Sequence, residues 1–325
     1  MPHGRCIGRA ACPAPAPLLG ALLLGALLLG AALPAAAATL EVGPGKKFDN
    51  PSAAAAAARD GDHIKIAAGE YFDCAIWRAN NLVIEGAGPE ATSITDKVCA
   101  GKGLFITDGN NITIRNLTLT RARVPDFNGA GIRAEGGDLT IEHVRITNDQ
   151  DGILANASPQ ATIIIRDSEF TRDGTCEGGG GCAHGIYING AKLLRIERTK
   201  IIETKQGHSI KSRAARTEVI GCTIEDGPKG TSSYAVDIPN GGGVVVRDTK
   251  FEKGPKSENH TAALIIGEEG INQPTKEITV TNNTFTVDGD YNSFLVDNRT
   301  ATEAELKGNK LLGNAKALHG DGDVE

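Results

Sequence analysis

Within the stretch 184–213 the chain gathers His184, Tyr187, His208, Lys211 and Arg213. Two imidazoles, a phenol, an ammonium and a guanidinium are groups suited to taking a proton from the carbon beside a carboxylate and delivering one to a departing oxygen. Arg213 is permanently charged and presents a fork that matches a carboxylate, so neutralising one is its natural role. Lys211 is the expected base, provided that crowding by Arg213 and partial burial bring its pKa down toward neutrality. Tyr187 or His184 then protonates the leaving oxygen. Asn156, Asn189, Asp237 and His208 are the expected contacts to the bound molecule. The competing explanation is a solvated outer sheet face, which is normally charged, so the cluster becomes a site only if the fold makes its members converge.

The elements that must position these groups are short strands. One pattern recurs: an apolar residue and a second large apolar residue five positions later, as in Ile114/Leu119, Ile141/Ile146, Ile165/Phe170, Ile196/Ile201, Val219/Ile224, Val246/Phe251, Val280/Phe285 and Leu306/Leu311. The first members are 27, 24, 31, 23, 27, 34 and 26 residues apart. Apolar and polar residues alternate around each pair, which is strand periodicity. The slot three positions after each first member holds Leu117, Val144, Ser168, Thr199, Cys222, Thr249, Asn283 and Asn309. These are mostly small or hydrogen-bonding residues, as expected where a chain bends inward and stacks on its equivalent one coil away. Burial in that ladder explains Cys222 better than reactivity does. A further strand follows each middle unit, around Ile132, Ile153, Ile186, Ile210, Val236, Ile265 and Leu295.

A period in this range signals a solenoid, propeller or array, and the strands are too few per repeat for a propeller blade. The fold expected is all-β: a single-domain parallel β-helix over residues 39–325, with a helix over Ala53–Ala58, N-capped by Ser52, closing its first coil. Glu303 to Glu325 is expected to cover the other end. Aligning coils on Gly152, Gly185 and Gly207 places Asn156, Asn189, Lys211 and Asp237 in one outward column, with Leu154, Tyr187, Ser209 and Ala235 beside it. His208 falls on an inward position in that alignment, where a satisfied structural histidine is the simpler reading.

Composition narrows the function. The 325 residues include 41 Gly but only 8 Phe, 4 Tyr and 1 Trp, and carry a formal charge of −6. No basic excess points to nucleic acid. Residues 1–38 have the order of a secretory signal peptide: Arg5 and Arg9, an apolar block from Leu18 to Leu33, then Ala36-Ala37-Ala38. Its loss removes both arginines, leaving a net −8 protein, secreted or periplasmic, free of the membrane and expected to be monomeric. In an oxidising compartment Cys176 with Cys182 closes a short loop, and Cys74 with Cys99 is a plausible second pair.

The capping segment Pro51-Ser52-Ala53 to Gly69-Glu70-Tyr71, the coil period and the inward ladder resemble the right-handed parallel β-helix class that contains pectate lyases, pectin lyases and related polysaccharide lyases, hydrolases and epimerases. Ala183-His184-Gly185-Ile186-Tyr187, Gly207-His208-Ser209-Ile210-Lys211-Ser212-Arg213 and Ile238-Pro239-Asn240-Gly241-Gly242 are similar to stretches of bacterial right-handed β-helix repeat proteins. The resemblance implies an acidic polysaccharide as partner and a uronate lyase or C5-epimerase as activity. Both reactions begin with the same proton abstraction. The Lys-x-Arg spacing resembles the pair used by a calcium-assisted alginate- and chondroitin-cleaving lyase family, though its fuller motifs are absent. Calcium is therefore one expectation, with Gly267-Glu268-Glu269-Gly270 and Asp288-Gly289-Asp290 as the acidic turns that could take it. A non-catalytic carbohydrate-binding or structural solenoid is the alternative. A polygalacturonase-like hydrolase ranks third, since Asp149 and Asp151 show no evident third carboxylate.

Overall fold

The structure, a computed structural model, describes residues 37–179 and 181–325. Residues 1–36 of the expected signal peptide lie outside the described residues. The described chain winds as a right-handed parallel β-solenoid. Ten strands, from Ala75–Trp77 to Ala315–Gly320, form one sheet in which neighbouring strands pair in parallel. Twenty further strands form two parallel ladders that meet at a corner. No helix among the described residues is long and apolar enough to cross a membrane.

The corner has a local cause. The residue just before the inward slot adopts a left-handed backbone in coil after coil: Asn116 (φ 57°), His143 (52°), Asp167 (52°), Arg198 (45°), Gly221 (63°), Asp248 (55°) and Asn282 (56°). One residue in that region bends a strand sharply, and Asn, Asp and Gly tolerate it best. The bend takes backbone N–H groups out of the sheet ladder, and the slot side chains receive them. Val144 N–H donates to Ser168 Oγ (3.1 Å), Cys222 N–H to Thr249 Oγ1 (3.2 Å), Thr249 N–H to Asn283 Oδ1 (3.0 Å) and Asn283 N–H to Asn309 Oδ1 (2.9 Å). The slot is thus small and polar because each side chain satisfies the coil before it. Cys222 is buried in this ladder, and burial pushes its thiol up to about 11.

Inside, equivalent residues stack. Phe105, Ile132, Ile153, Ile186, Ile210, Val236, Leu264 and Val296 are successive register partners, and all are buried. Each large aliphatic member contributes roughly 2 kcal/mol of burial. The column changes character on the outward side of the same strands, where the candidate site lies.

Two local expectations are corrected. The helix runs Pro51–Ala57 and its N-cap is Asn50, whose side chain accepts from Ala53 N–H (3.0 Å). Proline favours the first helical position because it has no N–H to satisfy, which shifts the cap to the residue before it. Ser52 instead gives its N–H to Asp73 Oδ2 (2.7 Å). Glu303–Glu325 does not fold over the end; it continues the winding as Ala304–Lys307, Lys310–Gly313, Ala315–Gly320 and Gly322–Val324. The Leu306/Leu311 pair obeys the same period as the coils before it, so it adds a coil instead of covering one.

Candidate functional site

The outward column of the ten-stranded sheet reads Arg133, Leu154, Tyr187, Lys211, Asp237, Ile265, Asp297 through successive register partners. Outward positions are normally wet, yet Leu154, Lys211, Asp237, Ile265 and Asp297 are all buried. The turn that carries Cys182 borders Leu154 and Tyr187, and the turn that carries Glu269 covers Lys211, so this part of the column is a floor. The Cys176–Cys182 disulfide closes one of these turns, and Cys74–Cys99 ties together two earlier segments. Cys182 borders a cleft of 450 Å³ shared with His208, Ser233, Glu258 and His260. It also borders a cleft of 200 Å³ shared with Phe127, Leu154 and Tyr187.

The register corrects the alignment based on glycines. Lys211 pairs with Tyr187, whereas Asn189 lies two residues farther along, level with Arg213. Gly207 is a turn residue with φ 73° and is not the partner of Gly185; the chain meets Gly185 at His208 and Ser209. A slip of two residues keeps every side chain on its expected face because the strand period is two. It does change the neighbours. Tyr187, Lys211 and Asp237 form one column, and Asn156 and Asn189 stand beside it, with Asn189 Nδ2 donating to Asn156 Oδ1 (3.0 Å).

The column converges on one further residue. Lys211 Nζ lies 3.0 Å from Asp237 Oδ2 and 2.7 Å from Glu269 Oε1. Arg213 Nη2 donates to Glu269 Oε2 (2.6 Å), Arg213 Nη1 donates to Asn240 Oδ1, and Arg213 Nε donates to the Tyr187 hydroxyl oxygen (3.2 Å). The Tyr187 hydroxyl in turn donates to Asn189 Oδ1 (3.2 Å). The lysine side chain is 9% exposed and that of Asp237 fully enclosed, whereas Glu269 is 41% exposed.

Electrostatics reverses one expectation. Burial works to lower the Lys211 ammonium, but Asp237 and Glu269 more than offset it and hold its pKa above the ordinary value. Lys211 is a fixed cation here, not a depressed base. Asp237 is the perturbed acid: burial first, then Glu268 and Glu269, push it up to about 6 against the pull of Lys211. Burial likewise works to raise Glu269, yet Lys211 and Arg213 hold it below the usual carboxylate range.

The histidines are neutral. His208 Nδ1 accepts from Tyr234 N–H (3.3 Å), which puts its proton on Nε2, 3.4 Å from Asp237 Oδ2. Burial, then Lys211 and Lys253, push His208 down to about 3. Its ring therefore does not point into the core as expected; it stacks between His184 and Tyr234, with centroids 4.8 and 5.3 Å away, along the edge of the sheet. His184 Nδ1 accepts from His208 N–H (2.9 Å), and burial holds its pKa well below the ordinary value. At 5% exposure His184 packs edge-on against the Tyr187 ring, with centroids 5.1 Å apart.

Two rival sites resolve differently. Asp237, Glu268 and Glu269 place carboxylate oxygens within 4.8 Å of one another, the one such group among the described residues. The Lys211 ammonium already contacts two of the three, so this acidic set takes a side-chain cation and does not fit calcium beside it. Asp288 and Asp290 gather no such group among the described residues. Asp149, Asp151 and Asp173 are each about 1% exposed. Asp149 Oδ1 accepts from Ala122 N–H, Asp173 Oδ1 accepts from Asp149 N–H (2.8 Å) and Asp151 Oδ1 accepts from His184 N–H (2.6 Å). Asp173 is the third carboxyl that sequence reasoning missed, and a shift of 24 residues, the Ile141-to-Ile165 spacing, points from Asp149 to it. All three receive backbone N–H groups; Asp151 also borders the cleft beside Tyr187, whereas Asp149 and Asp173 are held inside the coil. Glu269 was singled out only as a calcium ligand, because its partners lie 58 and 56 residues away.

Residues 175–323 match the family described as Right handed beta helix region. No curated protein matches the chain. Among solved structures the chain is similar to a pectate lyase, at 14% identity and TM-score 0.52 over 82% of this chain and 72% of that one. It is also similar to an alginate lyase from Paenibacillus sp. str. FPU-7, at 16% identity and TM-score 0.49 over 88% and 99% of the two chains. The A-module of a mannuronan C-5 epimerase from Azotobacter vinelandii gives 16% identity and TM-score 0.45 over 84% and 91%. At such identities the likeness is one of fold. The expected right-handed parallel β-helix is the fold of the described chain.

Proposed function

We propose that the chain is an exported, monomeric β-helix protein, with residues 39–325 as one domain after removal of a 1–38 signal peptide, acting on a uronic-acid-containing polysaccharide as a lyase or C5-epimerase. The observation that carries this reading is the convergence of Lys211 and Arg213 on a single carboxylate held between an ammonium and a guanidinium, with the Tyr187 hydroxyl of the preceding coil bonded to that guanidinium. That is the environment a uronate needs before its C5 proton becomes acidic enough to leave. Lys211 and Arg213 neutralise the sugar carboxylate; the Tyr187 oxygen, entering the step as phenolate beside Arg213, takes the C5 proton and passes it to the departing oxygen in the lyase reaction, whereas in the epimerase reaction solvent returns a proton to the opposite face. Asp237 and His208 fix Lys211 from below, while Asn156 and Asn189 present amides to the neighbouring sugar unit. Two disulfides support an oxidising compartment.

The test is incubation with pectate, alginate and glycosaminoglycans, following absorbance of the unsaturated product and, separately, exchange of the C5 proton with solvent. Tyr187→Phe is expected to lower turnover at least a hundredfold with little change in binding. An inactive wild type on both readouts across the panel would overturn the reading. A second reading, a non-catalytic carbohydrate-binding solenoid, is favoured by one observation: both cations already have carboxylate partners within the chain. Binding without turnover or exchange would decide for it.

A further inference from the structure

Glu269 stands apart from the other members of the cluster. Lys211 and Arg213 belong to one strand and the turn after it, and both are largely covered, with side chains 9% and 22% exposed. Glu269 reaches down to them from a turn two coils away, one oxygen on each cation at 2.7 and 2.6 Å. A carboxylate divided between an ammonium and a guanidinium is the arrangement that a uronate would adopt on the same pair. With Glu269 in place both cations have a carboxylate partner. Without it Lys211 keeps Asp237, while Arg213 keeps no carboxylate within 4.0 Å among the described residues.

The turn is held by bonds that do not involve the Glu269 side chain. Gly267 N–H donates to Ile238 O (2.9 Å), Glu269 N–H to Pro239 O (3.0 Å) and Asn240 Nδ2 to Gly270 O (3.1 Å). Glu269 can therefore leave by rotating side-chain torsions, with no backbone rearrangement, into solvent that already reaches 41% of it.

From this geometry we infer that Glu269 is an internal stand-in for the substrate carboxylate: it fills the Lys211–Arg213 cradle in the empty protein and swings out when a uronate enters. The inference rests on the function proposed above, and it assigns Glu269 a gating role on that site. A resident competitor reduces apparent affinity by the fraction of molecules whose cradle is open.

The probe is sodium glucuronate, titrated calorimetrically into the full chain as wild type, Glu269→Ala, Glu269→Gln and Glu268→Gln. Glu268 removes the same charge from the same turn but its recorded partner is the Tyr234 hydroxyl at 3.4 Å, so it controls for general relief of negative charge. Glu269→Ala is expected to bind glucuronate about tenfold more tightly than wild type, since partly exposed ion pairs of this kind are each worth a few-fold. Glu269→Gln should gain less, and Glu268→Gln should stay within twofold. Glucose, which lacks the carboxylate, should gain nothing. Equal binding by wild type and both Glu269 variants overturns the gate, as does an equal gain in Glu268→Gln. If polymers are neither cleaved nor exchanged while Glu269→Ala still gains glucuronate, the enzyme reading fails and the gate stands. If polymers are processed with no gain in Glu269→Ala, the reverse holds.

Discussion

Lys253 offers a measurement in which the fold's own electrostatics can be read directly. It occupies an inward position, level with Val287 one coil on, and is 1% exposed. Its ammonium donates to Ser233 O and makes no ion pair within 4.0 Å among the described residues. Burial, opposed only by the more distant Asp226, pushes its pKa from 10.5 down to about 8. A lysine that binds its proton less tightly when folded makes stability rise with pH between those two values. At about 1.4 kcal/mol per pKa unit, the 2.5-unit gap amounts to about 3 kcal/mol, absent at pH 7 and recovered by pH 10.5. Lys253→Met keeps the unbranched stem and removes the charge, forfeiting about 1 kcal/mol for the bond to Ser233 O. The variant should therefore be more stable than wild type by about 2 kcal/mol at pH 7, and less stable by about 1 kcal/mol near pH 10.5. Urea unfolding with disulfides intact, repeated from pH 7 to 10.5, measures the difference while cancelling the other groups that titrate in this range. A difference that does not change with pH would refute the argument.

Other consequences are open to the same kind of check. Burial, and for Asp149 the neighbouring Asp173, raises both of these carboxyls. Their contribution to stability is complete below the unfolded value near 3.8 and is lost as pH rises through the folded values, so this pair's share of urea resistance falls up to about pH 8, opposed below pH 6.5 by the buried neutral His184 and His208. Asp173→Asn should flatten that slope; an unchanged slope would contradict the assignment. Chain-entropy considerations make the Cys74–Cys99 bridge, 25 residues apart, worth about 3.5 kcal/mol and the Cys176–Cys182 bridge, 6 apart, about 2.4 kcal/mol. Replacing each pair by serines and comparing unfolding midpoints tests that order. Removing the shorter bridge should also loosen the wall beside Tyr187 and weaken saccharide binding more than removing the longer one, which titration of each variant would show.

The sequence alone determined the coil, the inward column and the polar corner ladder. Those depend on a side-chain period of two and on one left-handed residue per corner, both local properties that the strings around Ile141, Ile165 and Val219 carry openly. It also placed Lys211 and Asp237 on one outward column, because the strand that bears each begins at a recognisable apolar residue. What it misplaced was the match between Tyr187 and Lys211, since turns between coils vary in length and Gly207 belongs to a turn. What it could not supply was the chemistry of the cluster. Whether Lys211 is a base or a cation depends on Asp237 beneath it and on Glu269 above it, the latter 58 residues farther along the chain. Proximity of that kind is created only when the coils stack, and the same stacking takes away the water that would otherwise have left each pKa near its ordinary value.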